Sequence, residues 1–203
     1  MALTALALNC TLKPSPETSS TEKLAREVLD ALAGHGVSGE LVRVVDHDVR
    51  PGVTTDMGDG DAWPTLREKV LAADILVFAT PTWLGQTASV GQRVLERLDA
   101  ELSETDADGR PTLFGKVAIV AVVGNEDGAH HICSQVFQAL NDVGFTIPAQ
   151  GCTYWNGESM ASTDYVELGA PVESTDAATA TAAANAAHLA GLLTASAYPV
   201  PQG

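Results

Sequence analysis

Asn9-Cys10-Thr11-Leu12-Lys13-Pro14-Ser15-Pro16-Glu17-Thr18-Ser19-Ser20-Thr21 is a hydroxyl-rich stretch lying between two segments of different periodicity. Before it, Leu3-Thr4-Ala5-Leu6-Ala7-Leu8 is an apolar run long enough for one buried strand, so residues 3–8 are expected as the first strand. After it, Leu24, Ala25, Val28, Leu29 and Leu32 recur at helical spacing, and Gly34 and Gly36 supply a stop, which places the first helix at about 20–33. A hydroxyl-bearing loop therefore joins a strand to a helix that starts in a cluster of Ser and Thr. A helix start exposes unpaired backbone N–H groups and partial positive charge. With added hydroxyls and one lysine it offers a place for a phosphate. The alternative is that Ser19 or Ser20 simply caps the helix; both readings stand at this point.

The rest of the chain repeats the pattern. Glu40-Leu41-Val42-Arg43-Val44-Val45-Asp46 alternates as a half-exposed or edge strand would, and residues 47–61, rich in Gly, Asp, Thr and Pro, form a long loop. A short helix at 63–71 carries Pro64 in its first turn. Asp74-Ile75-Leu76-Val77-Phe78-Ala79 reads as a buried strand running into a second hydroxyl-bearing loop, Thr80-Pro81-Thr82-Trp83-Leu84-Gly85-Gln86-Thr87. Residues 88–98 follow as an amphipathic helix with Val90, Val94, Leu95 and Leu98 on its apolar stripe. Lys116-Val117-Ala118-Ile119-Val120-Ala121-Val122-Val123 is a further apolar strand, ending in Gly124-Asn125-Glu126-Asp127-Gly128-Ala129-His130-His131. A helix at 129–143 closes at Gly144. Phe145-Thr146-Ile147-Pro148-Ala149 is expected as a weak edge strand, shortened by its proline. An alanine-dominated helix spans 174 to about 195, and the tail after 198 is expected to be loose.

Strands alternating with helices at this rhythm imply an α/β fold, a parallel sheet covered on both faces. In such sheets ligands sit beyond the carboxyl ends of the strands, where the strand order switches. All three unusual loops follow strands, so one common site is expected there.

The length of 203 residues suits a single domain spanning the chain, with 45% hydrophobic and 18% charged residues. A net charge of −15 argues against nonspecific attraction to nucleic acid or anionic membrane. Cys10, Cys133 and Cys152 have no C-x-x-C spacing, so neither a disulfide framework nor a zinc site follows; Cys133 reads as a small core hydrophobe. The N-terminal apolar run lacks a basic flank, no stretch reaches membrane-spanning length, and a cytoplasmic location is expected.

On these residues the sequence resembles the flavodoxin-like superfamily, in particular its NAD(P)H-dependent FMN reductase branch. The likeness runs from about residue 3 to 155. It implies a flavodoxin-like three-layer sandwich with a five-stranded parallel sheet in the order 2-1-3-4-5, FMN at the strand ends, and NAD(P)H as co-substrate. Thr11 and Lys13 match the phosphate loop's hydroxyl and basic positions, and Ser19, Ser20 and Thr21 the helix start that closes on the phosphate. Two departures stand out: Cys10 replaces the usual Gly, and Lys13 the more frequent Arg, a point charge in place of a bidentate fork. Thr80, Pro81, Thr82, Trp83, Leu84 and Gly85 resemble the turn that wraps the flavin ring, and the helix carrying Arg93, Glu96, Arg97, Leu98 and Asp99 resembles the helix after it. Trp83 covers the ring in this reading, or is a partly buried loop aromatic in the plainer one. Gly124, Asn125, Glu126, Asp127 and Gly128 resemble the third flavin loop, with Asn125 as a donor and His130 close to the ring. Tyr154-Trp155-Asn156-Gly157 either joins the pocket wall or packs in the core.

The resemblance implies an oxidoreductase passing hydride from NAD(P)H through FMN to a quinone, free flavin or other small acceptor, with no proton-transfer side chain singled out. It also implies a homodimer or homotetramer. No metal site is expected: adjacent His130 and His131 point apart on a helix, and residues 47–61 hold no cysteine for an iron–sulfur cluster. Two rivals remain: a flavodoxin-type electron carrier without NAD(P)H turnover, and a cofactor-free scaffold. Arg43, Arg50 and Arg67 surround the long loop without fixing a choice between NADH and NADPH.

Overall fold

The computed structural model describes residues 2–158 and 161–201. In chain order its elements are β1 (Thr4–Asn9), α1 (Ser20–Ala33), β2 (Ser38–Arg43), α2 (Trp63–Ala72), β3 (Ile75–Trp83), β4 (Gln86–Thr87), α3 (Ser89–Leu98), β5 (Val117–Gly124), α4 (Ala129–Asp142), β6 (Cys152–Asn156) and α5 (Glu173–Ala195). Five strands pair in parallel in the order β2-β1-β3-β5-β6, and β4 pairs antiparallel with the end of β3. Counting parallel strands only, this is the expected 2-1-3-4-5 sheet. The order reverses between β1 and β3, whose ends therefore diverge into separate loops.

Two-residue alternation sorts the strand side chains into two cores. Leu6, Leu8, Leu76, Phe78, Val120 and Val122 face α2, α3 and α4, where Trp63, Leu66, Val94, Ile132 and Val136 meet them. Ala5, Ala7, Ile75, Val77, Ile119 and Ala121 face α1 and α5. The alanines of α5 cover the sheet: Ala182, Ala183, Ala186 and Ala190 are fully buried, with Ala183, Ala186 and Ala190 in the core beside Leu24 and Val28 of α1. The small alanine side chains of α5 pack directly against the larger apolar side chains of α1. Cys133 sits in the first core, as a small hydrophobe should.

Three expectations are corrected. The second strand ends at Arg43, and Val44–Asp46 forms a 3-10 turn. Residues 145–149 form no strand; Thr146 makes a lone bridge to Val117, and the fifth parallel strand is Cys152–Asn156. Pro148 lacks the donor a ladder needs, and Gln150 turns the chain with φ 52° before pairing resumes. Finally, residues 80–83 are not loop. They extend β3 along β5 (Thr80↔Val122, Pro81↔Val123) and turn back through Leu84 and Gly85 into β4. Both turn residues have positive φ, 53° and 71°, the hand that suits a two-residue hairpin.

Candidate functional site

At the carboxyl ends of β1, β3 and β5 a cavity of about 300 Å³ is lined by Thr11, Lys13, Ser19, Ser20, Thr21, Pro81, Thr82, Trp83, Gly124, Asn125 and Glu126, all anticipated from the sequence. Leu12, Val123, Ala161 and Asp164 complete the wall and were not. Hydroxyls, a lysine and a helix start occupy one end; a proline, a tryptophan and backbone-rich loops occupy the other.

The first end is held from beneath. Thr11 N–H donates to Asn9 Oδ1 at 3.1 Å, and Lys13 N–H to Thr11 Oγ1 at 3.3 Å. Ser19 does cap α1, its Oγ accepting from Glu22 N–H at 3.2 Å, and it also lines the cavity. Arg43 donates to the carbonyls of Lys13 (3.2 Å) and Glu17 (2.8 Å) and pairs with Glu22, bracing the loop from outside the cavity. Burial alone would raise the Glu22 pKa, but hydrogen bonds from Arg43 and Arg26 bring it below the ordinary carboxylate value. The Cys10 thiol points into the first core rather than the cavity, and burial pushes its pKa up. Its backbone is not left-handed, so a glycine is not needed there.

The second end is a packing of three loops. A Cβ on Gly124 would lie 2.6 Å from Thr82 Cβ, so glycine here lets β5 run against β3. Gly128 has φ 125°, and a Cβ there would come within 2.9 Å of Gly85 Cα. Leu84 N–H donates to Glu126 Oε1 at 2.7 Å, tying the hairpin tip to the β5 loop. Thr80 is buried beneath, its Oγ1 accepting from Ala88 N–H (3.2 Å) and sharing a hydrogen with Thr87 (2.8 Å). Gly128→Ala should cost about 1–3 kcal/mol from the left-handed backbone alone. Urea unfolding reads that loss, and an unchanged midpoint would mean the loops do not pack this tightly.

Six sequence-predicted residues are not on the cavity wall. Thr80 and Gly85 lie behind it, and Gly128 packs on Gly85. Leu84 points to solvent at 91% exposure, and Asp127 is exposed. His130 meets the edge of Tyr154, ring centroids 5.0 Å apart. Trp155 is buried against Tyr165, which settles that aromatic as core packing. Residues 47–61 do not reach the cavity either; Arg93 and Arg97 hold their backbone on α3. No group of three His, Cys, Asp or Glu among the described residues could hold a metal ion.

Asp164 was illegible because tertiary structure delivers it. The chain after β6 crosses back to α1, where Val166 N–H donates to Ser20 Oγ (3.2 Å), Tyr165 Oη to Glu27 (2.6 Å) and Lys23 Nζ to the Tyr165 carbonyl (3.1 Å). This sets Asp164 between the ends of the cavity: Oδ1 accepts from Asn125 Nδ2 at 3.0 Å, and Oδ2 lies 4.0 Å from Lys13 Nζ. The Thr82 hydroxyl, packed beside Gly124, is buried without a hydrogen-bond partner among the described residues.

Known proteins resemble this chain in sequence and fold. A structure of RosB with the bound intermediate 8-demethyl-8-formylriboflavin-5'-phosphate is 36% identical, with a TM-score of 0.89 over 97% of this chain and 82% of that one. The 8-demethyl-8-aminoriboflavin-5'-phosphate synthase of Streptomyces davaonensis is 37% identical over 82% of this chain and 68% of its own length. A Mycobacterium bovis protein named divalent metal cation transporter MntH is 40% identical over 82% of this chain, which spans only a quarter (25%) of that protein. No helix among the described residues is long and apolar enough to cross a membrane. Residues 3–158, which carry the parallel sheet and the three cavity loops, match the family described as NADPH-dependent FMN reductase, and the chain belongs to that family.

Proposed function

We propose that the protein is an FMN-dependent oxidoreductase that takes hydride from NAD(P)H and passes electrons to a small acceptor such as a quinone or free flavin. The observation that carries this reading is the polarity of the cavity. Hydroxyls and Lys13 lie at the α1 start, and Pro81, Thr82 and Trp83 line the other end of the same space. These residues fit a phosphorylated flavin. Thr11, Lys13, Ser19, Ser20 and Thr21 hold the phosphate with the α1 N-terminus. Asn125 serves the polar edge of the ring, and Trp83, 54% exposed at the rim, covers an apolar part. Bound FMN supplies the hydride-accepting and electron-releasing chemistry; the chain binds, orients and shields it. A cytoplasmic location and an assembly of two or four copies belong to the same reading and rest on the family resemblance; the exposed Trp83 and Leu84 would be covered in such an assembly.

The likeness to the synthase and to RosB favours a second reading, in which riboflavin 5'-phosphate is itself the substrate and its ring is altered. One experiment separates the two. The protein is given FMN, NADPH and a quinone, and both NADPH consumption and the mass of the recovered flavin are followed. Catalytic NADPH oxidation with flavin of unchanged mass supports the reductase. A flavin of altered mass supports the second reading, and neither result would leave a binding protein.

A further inference from the structure

The phosphate end of the cavity contains an electrostatic oddity. Among the described residues lining it, Lys13 is the only cation, and it faces Asp164 at 4.0 Å. The neighbouring arginine offers no relief, because Arg43 is spent on Glu22 and the carbonyls of Lys13 and Glu17. Glu126, tied to the hairpin tip at the other end of the cavity, adds a second carboxylate. A site built only to hold a phosphate tightly would not set a carboxylate against its one lysine.

Nor is this carboxylate a drifting surface group. Asn125 Nδ2 fixes Oδ1 at 3.0 Å, and Asp164 N–H donates to Glu167 Oε2 at 2.8 Å. The next two residues are tied to α1 through Glu27, Lys23 and Ser20. The carboxylate group is therefore held in place at the cavity. Both side chains are roughly half exposed, so their attraction is weak, and Lys13 can leave Asp164 for a phosphate. The repulsion between Asp164 and that phosphate remains.

We propose that Asp164 is an affinity-limiting residue of the phosphate subsite: its fixed carboxylate offsets Lys13 and keeps riboflavin 5'-phosphate exchangeable. The proposal rests on the cavity being the FMN site. It names a determinant of how tightly that site holds the phosphate, and Asp164 does this through charge, since its amide counterpart would keep the contact with Asn125.

The test compares FMN and riboflavin binding by flavin fluorescence titration, in the full-length wild type and Asp164→Asn. A unit charge about 6 Å from a phosphate dianion in a water-exposed site weakens binding roughly five- to tenfold. Asp164→Asn should therefore tighten FMN by about that factor and leave riboflavin within about twofold, and the gain for FMN should shrink as salt screens the repulsion that the substitution removes. FMN affinity that is unchanged or weaker, or an equal gain for riboflavin, would overturn the proposal while leaving the flavin site standing. Asp164→Ser gives a second neutral substitution; a gain for FMN in both excludes an effect peculiar to asparagine. A folded wild type that binds neither flavin removes the site assignment and this inference together.

Discussion

Arg97→Met should destabilise the protein by about 3–5 kcal/mol, the usual effect of stranding one member of a buried ion pair. Arg97 lies on α3 yet has no solvent exposure. Its Nη1 pairs with Asp61 at 2.8 Å and donates to the Arg50 carbonyl at 2.9 Å; Nη2 donates to the Thr54 carbonyl at 2.8 Å. Its guanidinium also stands 5.7 Å from the Trp63 ring centroid. One side chain thus satisfies much of the backbone of the 47–61 loop, and methionine fills the space without a donor. Burial pushes the Asp61 pKa up, but N–H groups of Met57, Trp63 and Arg50, with Arg97, more than reverse this and hold it at about 2. The folded pKa is below the unfolded one of about 3.9, so the contribution is complete above about pH 4 and is lost as pH falls toward 2. Urea unfolding of wild type and Asp61→Asn across that window should show their difference shrinking with acid. The double variant should be less impaired than Arg97→Met alone, because no buried charge is then left unpaired. A cost below about 1 kcal/mol for Arg97→Met would mean the loop is held otherwise.

Lys13→Met should weaken FMN binding about ten- to a hundredfold while scarcely changing riboflavin, the range for losing a charge-assisted hydrogen bond to phosphate. The lower end is expected, because Lys13 is shared with Asp164 at 4.0 Å. The fold should be unaffected: the side chain is about half exposed and its loop is held by backbone and Arg43 contacts. Isothermal titration with both flavins measures this directly. An equal loss for both would move the phosphate away from the first loop.

The elements legible in the sequence are those with a full local signal. For α1, the Ser19 cap and the stripe from Leu24 to Leu32 fix both ends, and the helix occupies residues 20–33 as expected. The buried runs of β3 and β5 were equally plain. The fifth strand was not, because Cys152-Thr153-Tyr154-Trp155-Asn156 is short and only alternately buried, whereas Phe145 and Ile147 suggested a strand that Pro148 blocks. Residues 80–83 carry turn-forming types, yet pairing with β5 keeps them extended. In the site, residues contributed directly by strand ends were readable, because topology alone brings those ends together. Asp164 and Ala161 arrive through a return crossing with no periodicity to betray it. Arg97 is the opposite case: its helix was legible, but its burial depends on a loop that wraps over it.

The central claim is that this cavity presents FMN to a nicotinamide. It is tested most directly by the visible absorbance of the FMN-loaded protein under anaerobic conditions, before and after one equivalent of NADPH. The account predicts rapid loss of the oxidised flavin band, restored when a quinone is added. A bound flavin that stays oxidised with both NADPH and NADH would contradict it and leave an electron carrier or a flavin-modifying enzyme in its place.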